Sequence, residues 1–189
     1  MGKSFSKYKL NDDSHFISEI QAGNAECFEF LFRNYYYGLC RFVAGIIKSP
    51  SVAEDIVQDV FLNIWQNKKG WLPHGNIKTY LYKASKNCAI NYLKHLTVVN
   101  NWAEFSTKHM ASSCDNLENE YIQKEILLSI NKAIEKLPEK CRIIFLLQRQ
   151  EGLTYKEISE VLNISLSTVE TQMGRALKKI RTLLFPFLS

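Results

Sequence analysis

The chain has 189 residues, with 24 Lys plus Arg against 19 Asp plus Glu, a formal charge of +5. At 46% hydrophobic and 23% charged residues it has the composition of a globular protein, which excludes disorder or fibrous repeats throughout. No apolar run reaches the ~20 residues that cross a bilayer. The opening MGKSFSKYKLNDDSHF has no signal-peptide core, so the expectation is a cytoplasmic chain with no direct membrane insertion.

Nearly every periodic segment reads as helix. Asn24 can cap a helix whose apolar positions Phe28, Leu31, Tyr35, Leu39, Phe42, Val43 and Ile46 follow 3.6-residue spacing. Ser51 and Glu54 have capping-box spacing and open the next helix. In it Val52, Ile56, Val57, Val60, Phe61, Ile64 and Trp65 share a broad apolar face, while Glu54, Asp55, Gln58 and Asp59 lie opposite. Gly70, Pro73 and Gly75 then break the pattern into a loop. A helix over 77–96 turns Leu81, Ala84, Cys88, Ala89, Tyr92 and Leu93 inward. Residues 97–116, rich in Asn, Ser and Thr, read as a linker. A helix over 117–137 ends at Pro138, which suits the first turn of a further helix that stops at Gly152. Two all-α domains are expected, over 11–96 and 117–185, joined by a flexible linker over 97–116.

The most specific local signal is TYKEISEVLNISLSTVETQMGRALKKIR. Thr154 with Glu157, and Ser167 with Glu170, have capping-box spacing, so a short helix, a tight turn and another helix follow one another. Ile158 and Leu162 face inward, Ser159 is small where the helices cross, and Asn163 suits a left-handed turn. Ile164, Val169 and Met173 complete a miniature core. This is a helix-turn-helix, and its second helix turns Ser167, Thr168, Glu170, Thr171, Arg175 and Lys178 outward, with Ser165 at its start. Such a face enters the major groove by its first turn and reaches phosphates or guanine edges with its cations. Glu170 fits two roles, a capping partner for Ser167 or a base contact.

Charge is laid out in blocks. No acidic residue occurs from Val60 to Ala103, which carries Lys68, Lys69, Lys78, Lys83, Lys86 and Lys94. Arg175, Lys178, Lys179 and Arg181 form a second acid-free tract, and Glu104–Glu125 between them is an acidic spacer. Two basic tracts point to two nucleic-acid-binding faces. The five cysteines are scattered and form no CxxC, and the four histidines have no ligand or catalytic spacing. No metal, cofactor or disulfide framework is therefore expected. No Gly-rich phosphate loop or nucleophile elbow is present, so the chain is not expected to be an enzyme.

AEDIVQDVFLNIW followed by YLYKASKNCAINYLKH resembles the second conserved region of bacterial RNA polymerase sigma factors. AIEKLPEKCRIIFLLQRQEGLTYKEISEVLNISLSTVETQMGRALKKIR resembles their fourth. The order of the two and the short linker match the small extracytoplasmic function (ECF) group of the sigma-70 family. The resemblance implies a factor that binds core RNA polymerase and directs promoter-specific initiation at promoter DNA, with an anti-sigma factor as a further partner. Core polymerase would be bound by Glu54, Asp55, Gln58, Asp59 and Asn63, with Phe61 and Trp65 shaping an apolar support. The minus-ten element would be read by Lys83, Lys86, Asn87, Asn91 and Lys94, and a flipped base walled by Trp71 and His74; Trp71 fits equally well as a lid on the core. The minus-thirty-five element would be read by Ser165, Ser167, Thr168, Glu170, Thr171, Arg175 and Lys178. Here Lys86 and Lys94 stand where the family commonly has Arg, which removes the bidentate fork, and Asn91 stands for its Asp. The alternative is a stand-alone helix-turn-helix regulator that binds duplex DNA without polymerase.

Overall fold

The structure, a computed structural model, describes residues 13–100 and 132–184, with side chains as far as Leu96 in the first segment and Leu183 in the second. The expected 117–137 helix as far as position 131, the acidic spacer and most of the linker lie outside the described residues. The described residues contain helices and no strand.

The first unit is built from α1 (Asp13–Gln21), α2 (Ala25–Ile47), α3 (Pro50–Gln66) and α4 (Ile77–Asn100). Helix α1 was not legible in the sequence; it buries Phe16 and Ile20. Its Asp13 carboxylate accepts the Ile77 N–H at 2.8 Å, so α1 helps to satisfy the otherwise orphaned start of α4. Asn24 caps α2 as expected, accepting from the N–H groups of Glu26 and Cys27. Helix α2 packs against α3 and α4, and α3 also packs against α4. Leu31, Leu39, Val43, Val57, Leu81, Tyr82 and Ala89 are fully enclosed between them.

The capping box expected at Ser51 and Glu54 does not form. Helix α3 starts two residues earlier than that box requires: Ser49 is the N-cap without a side-chain bond, and Pro50 holds the first position. Proline has no N–H to leave unsatisfied and its φ already suits a helix, so it starts the helix and puts Ser51 inside it. Between α3 and α4 a 3-10 turn at Lys68–Gly70 leads into the loop, with Gly75 at φ 80°. Helix α4 runs on to Asn100, so the first four residues of the expected linker are helical. Cys88, expected to face inward, is exposed.

The second unit enters through a helical turn at 132–135 and continues with α5 (Glu139–Arg149), α6 (Tyr155–Leu162) and α7 (Leu166–Leu184). Pro138 is the residue before α5 rather than its first position. The Thr154–Glu157 capping box is complete in both directions. The second box is not: Ser165 starts α7 and its hydroxyl accepts the Thr168 N–H at 3.2 Å. Ser167 consequently lies within the helix and Glu170 is released from any capping role. Asn163 has φ 56° and ψ 51°, the left-handed turn the motif requires. Ile158, Val161, Val169 and Met173 close the core of the helix-turn-helix; Val161 was missed in the sequence.

The two units are not merely tethered. Helix α6 packs along α4 and α5 packs against α2, and Ile144, Leu147, Leu153, Ile158 and Val161 belong to one apolar cluster with the first unit's core. A smaller cluster of Leu137, Cys141 and Ala176 ties α5 to α7.

Asn163 gives a direct test of the turn. Asn163→Gly should unfold within a few tenths of a kcal/mol of the parent, whereas Asn163→Val should lose ~1–2 kcal/mol, because a β-branched residue pays the full left-handed penalty. Denaturant unfolding of both variants measures the difference.

Candidate nucleic-acid interface

Three surfaces carry the candidate residues. The first lies on α3. Glu54, Asp55, Gln58, Asp59 and Asn63 are all exposed along one side of the helix, and the Gln58 amide donates to the Tyr36 hydroxyl at 3.3 Å. Phe61 is core: its ring meets those of Phe32 at 4.9 Å and Phe28 at 6.0 Å. Trp65 is half-buried on Phe28 at 4.9 Å, with the Lys68 ammonium 4.3 Å from its ring centre. Next to the acidic row, Ala25, Phe28, Phe32, Leu62 and Trp65 line a shallow apolar groove. Leu62 is half exposed and was missed in the sequence, although its signal is simple: it is a leucine on the polar side of an amphipathic helix.

The second surface is α4 with the loop before it. Lys83, Asn87, Asn91 and Lys94 are exposed at spacings of four, four and three, so they share one face. Lys86 lies at its edge, half-buried, and donates to the Val161 carbonyl at 2.9 Å. Burial, and then the neighbouring Lys83 ammonium, lower Lys86 below the ordinary lysine value. His74 is exposed in the loop. The Trp71 ring is 5% exposed and edge-on to Tyr80 at 5.9 Å, and its carbonyl takes the Gln21 amide. Trp71 is thus packed into the core of the first unit, with the indole N–H buried and without a hydrogen-bond partner.

The third surface is α7. Ser165, Ser167, Glu170, Thr171, Arg175 and Lys178 are exposed and Thr168 is half-buried. Cap chemistry occupies part of this set: the Ser165 and Thr168 hydroxyls are 2.7 Å apart, and Thr171 donates to the Ser167 carbonyl at 2.8 Å. Glu170 and the cations Arg175 and Lys178 are left as the outward charged groups. Arg175, Lys178 and Lys179 continue into a ledge with Thr182 and Leu183, a geometry suited to a phosphate backbone.

Among the described residues there is no group of three His, Cys, Asp or Glu that could hold a metal ion. No helix there is long and apolar enough to cross a membrane.

The chain matches the sigma-70 region 2 family over residues 31–97 and the sigma-70 region 4 family over residues 127–180. Together the two matches cover most of the chain, in the order in which the three surfaces occur. The chain belongs to the ECF group of the sigma-70 family. It is 24% identical to the RNA polymerase sigma-H factor of Pseudomonas aeruginosa, covering 93% of this chain and 95% of that one. It is 26% identical to the ECF RNA polymerase sigma-E factor of Escherichia coli K12, covering 89% and 92%. Two solved structures share its fold at 19% identity. One is CnrH in complex with the cytosolic domain of CnrY (TM-score 0.61, covering 93% of this chain and 99% of that one). The other is the sigma factor RpoE with the anti-sigma factor NepR from Bartonella quintana (TM-score 0.62, 83% and 96%).

In this sigma factor one carboxylate of region 4 reaches region 2 from within a helix cap. Burial alone would raise the Glu157 carboxyl, but bonds from the Thr154 N–H (2.7 Å) and hydroxyl (2.8 Å), and from the Asn76 amide, with Lys78 nearby, hold it below the ordinary value. A depressed folded-state pKa adds stability that is complete above the unfolded value, about 4.3 for Glu, and is lost as pH falls through the lowered one. Glu157→Gln should therefore lower the melting temperature at neutral pH, and the gap to the parent should close on acidification. Thermal unfolding across a pH series reads this.

Proposed function

We propose that this chain binds core RNA polymerase and directs it to promoters, with α3 as the docking surface and α4 and α7 as the two DNA-reading surfaces. The observation that carries the reading is the pairing of both sigma regions in one chain, each with its polar candidate face largely exposed. A stand-alone regulator needs only the helix-turn-helix and has no use for the acidic row and apolar groove of α3, so that alternative is not favoured.

Each surface has a distinct task. The α3 row offers acceptors and amides for polar contacts around an apolar anchor in the groove, the arrangement in which a few residues dominate binding. On α4, Lys83 and Lys94 are placed to hold phosphates of a strand, and Asn87 and Asn91 to meet the hydrogen-bonding edges of unpaired bases. His74 stays a candidate beside a flipped base, whereas Trp71 supports the loop from below. On α7, Arg175 and Lys178 anchor the helix on the duplex while Ser167, Glu170 and Thr171 face the groove. The chain acts as a binding subunit in the cytoplasm, carries no catalytic step of its own and needs no cofactor. An anti-sigma factor is a further partner, supported by the fold shared with factors solved in such complexes.

Transcription from a promoter panel with purified core polymerase tests the reading. Replacing Asp55, Gln58 and Asp59 together by Ala should weaken core binding about tenfold or more, the scale of a lost interface hot spot. Promoter-specific initiation should fall with it. Duplex shifts without core binding or initiation would overturn the reading. Separately, Lys178→Ala should weaken duplex binding across sequences and reduce the salt slope by about one phosphate contact, read from binding isotherms at several salt concentrations.

A further inference from the structure

Glu170 is out of keeping with the rest of α7. It is the fifth residue of the helix, about 6 Å from its start, in the part of a recognition helix that meets base edges. Every other charged side chain on α7, namely Arg175, Lys178, Lys179 and Arg181, is cationic. Among the described residues no ion pair or side-chain hydrogen bond engages the Glu170 carboxylate. Helix spacing supplies no cation either: three and four residues away stand Leu166, Ser167, Met173 and Gly174. A lysine at position 174 would pair with it, and a Cβ there would meet nothing within 4 Å, so packing does not reserve that place for glycine. The neighbouring hydroxyls serve their own helix, Thr168 with Ser165 at 2.7 Å and Thr171 with the Ser167 carbonyl at 2.8 Å. Glu170 thus presents an uncompensated negative charge where a duplex brings more of the same.

Carrying a carboxylate into the field of the phosphates costs affinity unless a base supplies a donor. The major-groove edges decide which base can. Guanine presents two acceptors, N7 and O6, thymine an acceptor and a methyl group, and adenine sets its N6 donor beside the N7 acceptor. Cytosine offers a donor, its N4 amino group, with no acceptor of its own beside it.

We propose that Glu170 selects cytosine at one position of the minus-thirty-five element, accepting a hydrogen bond from the N4 amino group and disfavouring the other three bases. This selection rests on α7 being the duplex-reading helix. It gives Glu170 two effects of opposite sign: affinity for duplex in general falls, and discrimination at one base pair rises.

The test uses holoenzyme assembled from core polymerase and this chain, with a labelled promoter fragment that it opens. Each pair of the minus-thirty-five element is replaced singly by the other three, and one further fragment has the element scrambled. Binding is read by anisotropy at several salt concentrations. The parent should favour cytosine at one position by about tenfold, the scale of one mismatched pair. Glu170→Ala should flatten the profile at that position alone and bind the scrambled fragment more tightly. Glu170→Gln should move the preference there to adenine, whose N6 and N7 match an amide. Both replacements are good helix formers at an exposed site, so α7 is retained. Tighter binding to every fragment with an unchanged profile would overturn the proposal, since Glu170 would then only repel phosphates. A parent profile with no cytosine-favoured position would overturn it as well. Lys178→Ala in the same assay separates the proposal from its basis. If that variant lowers the salt slope by about one contact while the Glu170 variants keep the parent profile, α7 reads duplex without Glu170. If Lys178→Ala changes neither affinity nor slope, the assignment of α7 fails and the proposal with it.

Discussion

Glu151 follows α5 by two residues, and the relation of the two halves depends on where its carboxylate rests. Its side chain is 15% exposed, and a carboxylate so far withdrawn from water requires partners with good geometry. Among the described residues it finds them in the other half of the chain, in Arg41 of α2 and Tyr82 of α4. Burial, and then this carboxylate, push the Tyr82 hydroxyl well above the ordinary tyrosine value, so the phenol remains a donor. The room for the arrangement is made by Gly38, whose missing side chain lets the carboxylate approach the α2 backbone. With α5 held in this way, Gly152 at φ 66° turns the chain and α6 is laid along α4.

The helices of region 2 each serve two neighbourhoods. Inward, α3 supplies Ile56, Val57, Val60 and Phe61 to the core; outward, it presents an acidic row beside an apolar groove. Helix α4 buries Leu81, Tyr82 and Ala89 and sets Lys83, Asn87, Asn91 and Lys94 in line on the other side. The candidate side chains therefore stand on elements whose angles are set by packing, a more precise support than loops alone would provide.

Much of this was legible in the sequence where one signal decided the outcome. Asn24, Asn163 and the Thr154–Glu157 pair have backbone roles that few residue types can fill, and all three stand where their chemistry required. Capping signals misled where two starts competed. Proline at position 50 took precedence over Ser51, and Ser165 over Ser167, because each spacing fits more than one frame and the packing of the helix selects among them. Trp71 had two readings, and its burial is a tertiary property that no local pattern carries. Cys88 fell on the inward side of an idealised helical wheel, yet the packed face of α4 is narrower than that wheel assumes. The contact between the halves was not legible at all. Arg41 and Glu151 are separated by 110 positions, and no local pattern marks Gly38 as the space between them. The α3 groove was half visible, as aromatic residues assigned to the core without their exposed edge.

The polar character of the contact between the halves makes it sensitive to ionic strength. Lys48 and Glu139 join α2 to α5 at 2.9 Å across a solvent-exposed gap, and the Arg41 guanidinium is also largely exposed. Such pairs weaken as the Debye length shrinks from ~10 Å at 0.1 M toward ~3 Å at 1 M. Added salt therefore loosens the hold of region 4 on region 2, and the two halves part more readily as ionic strength rises.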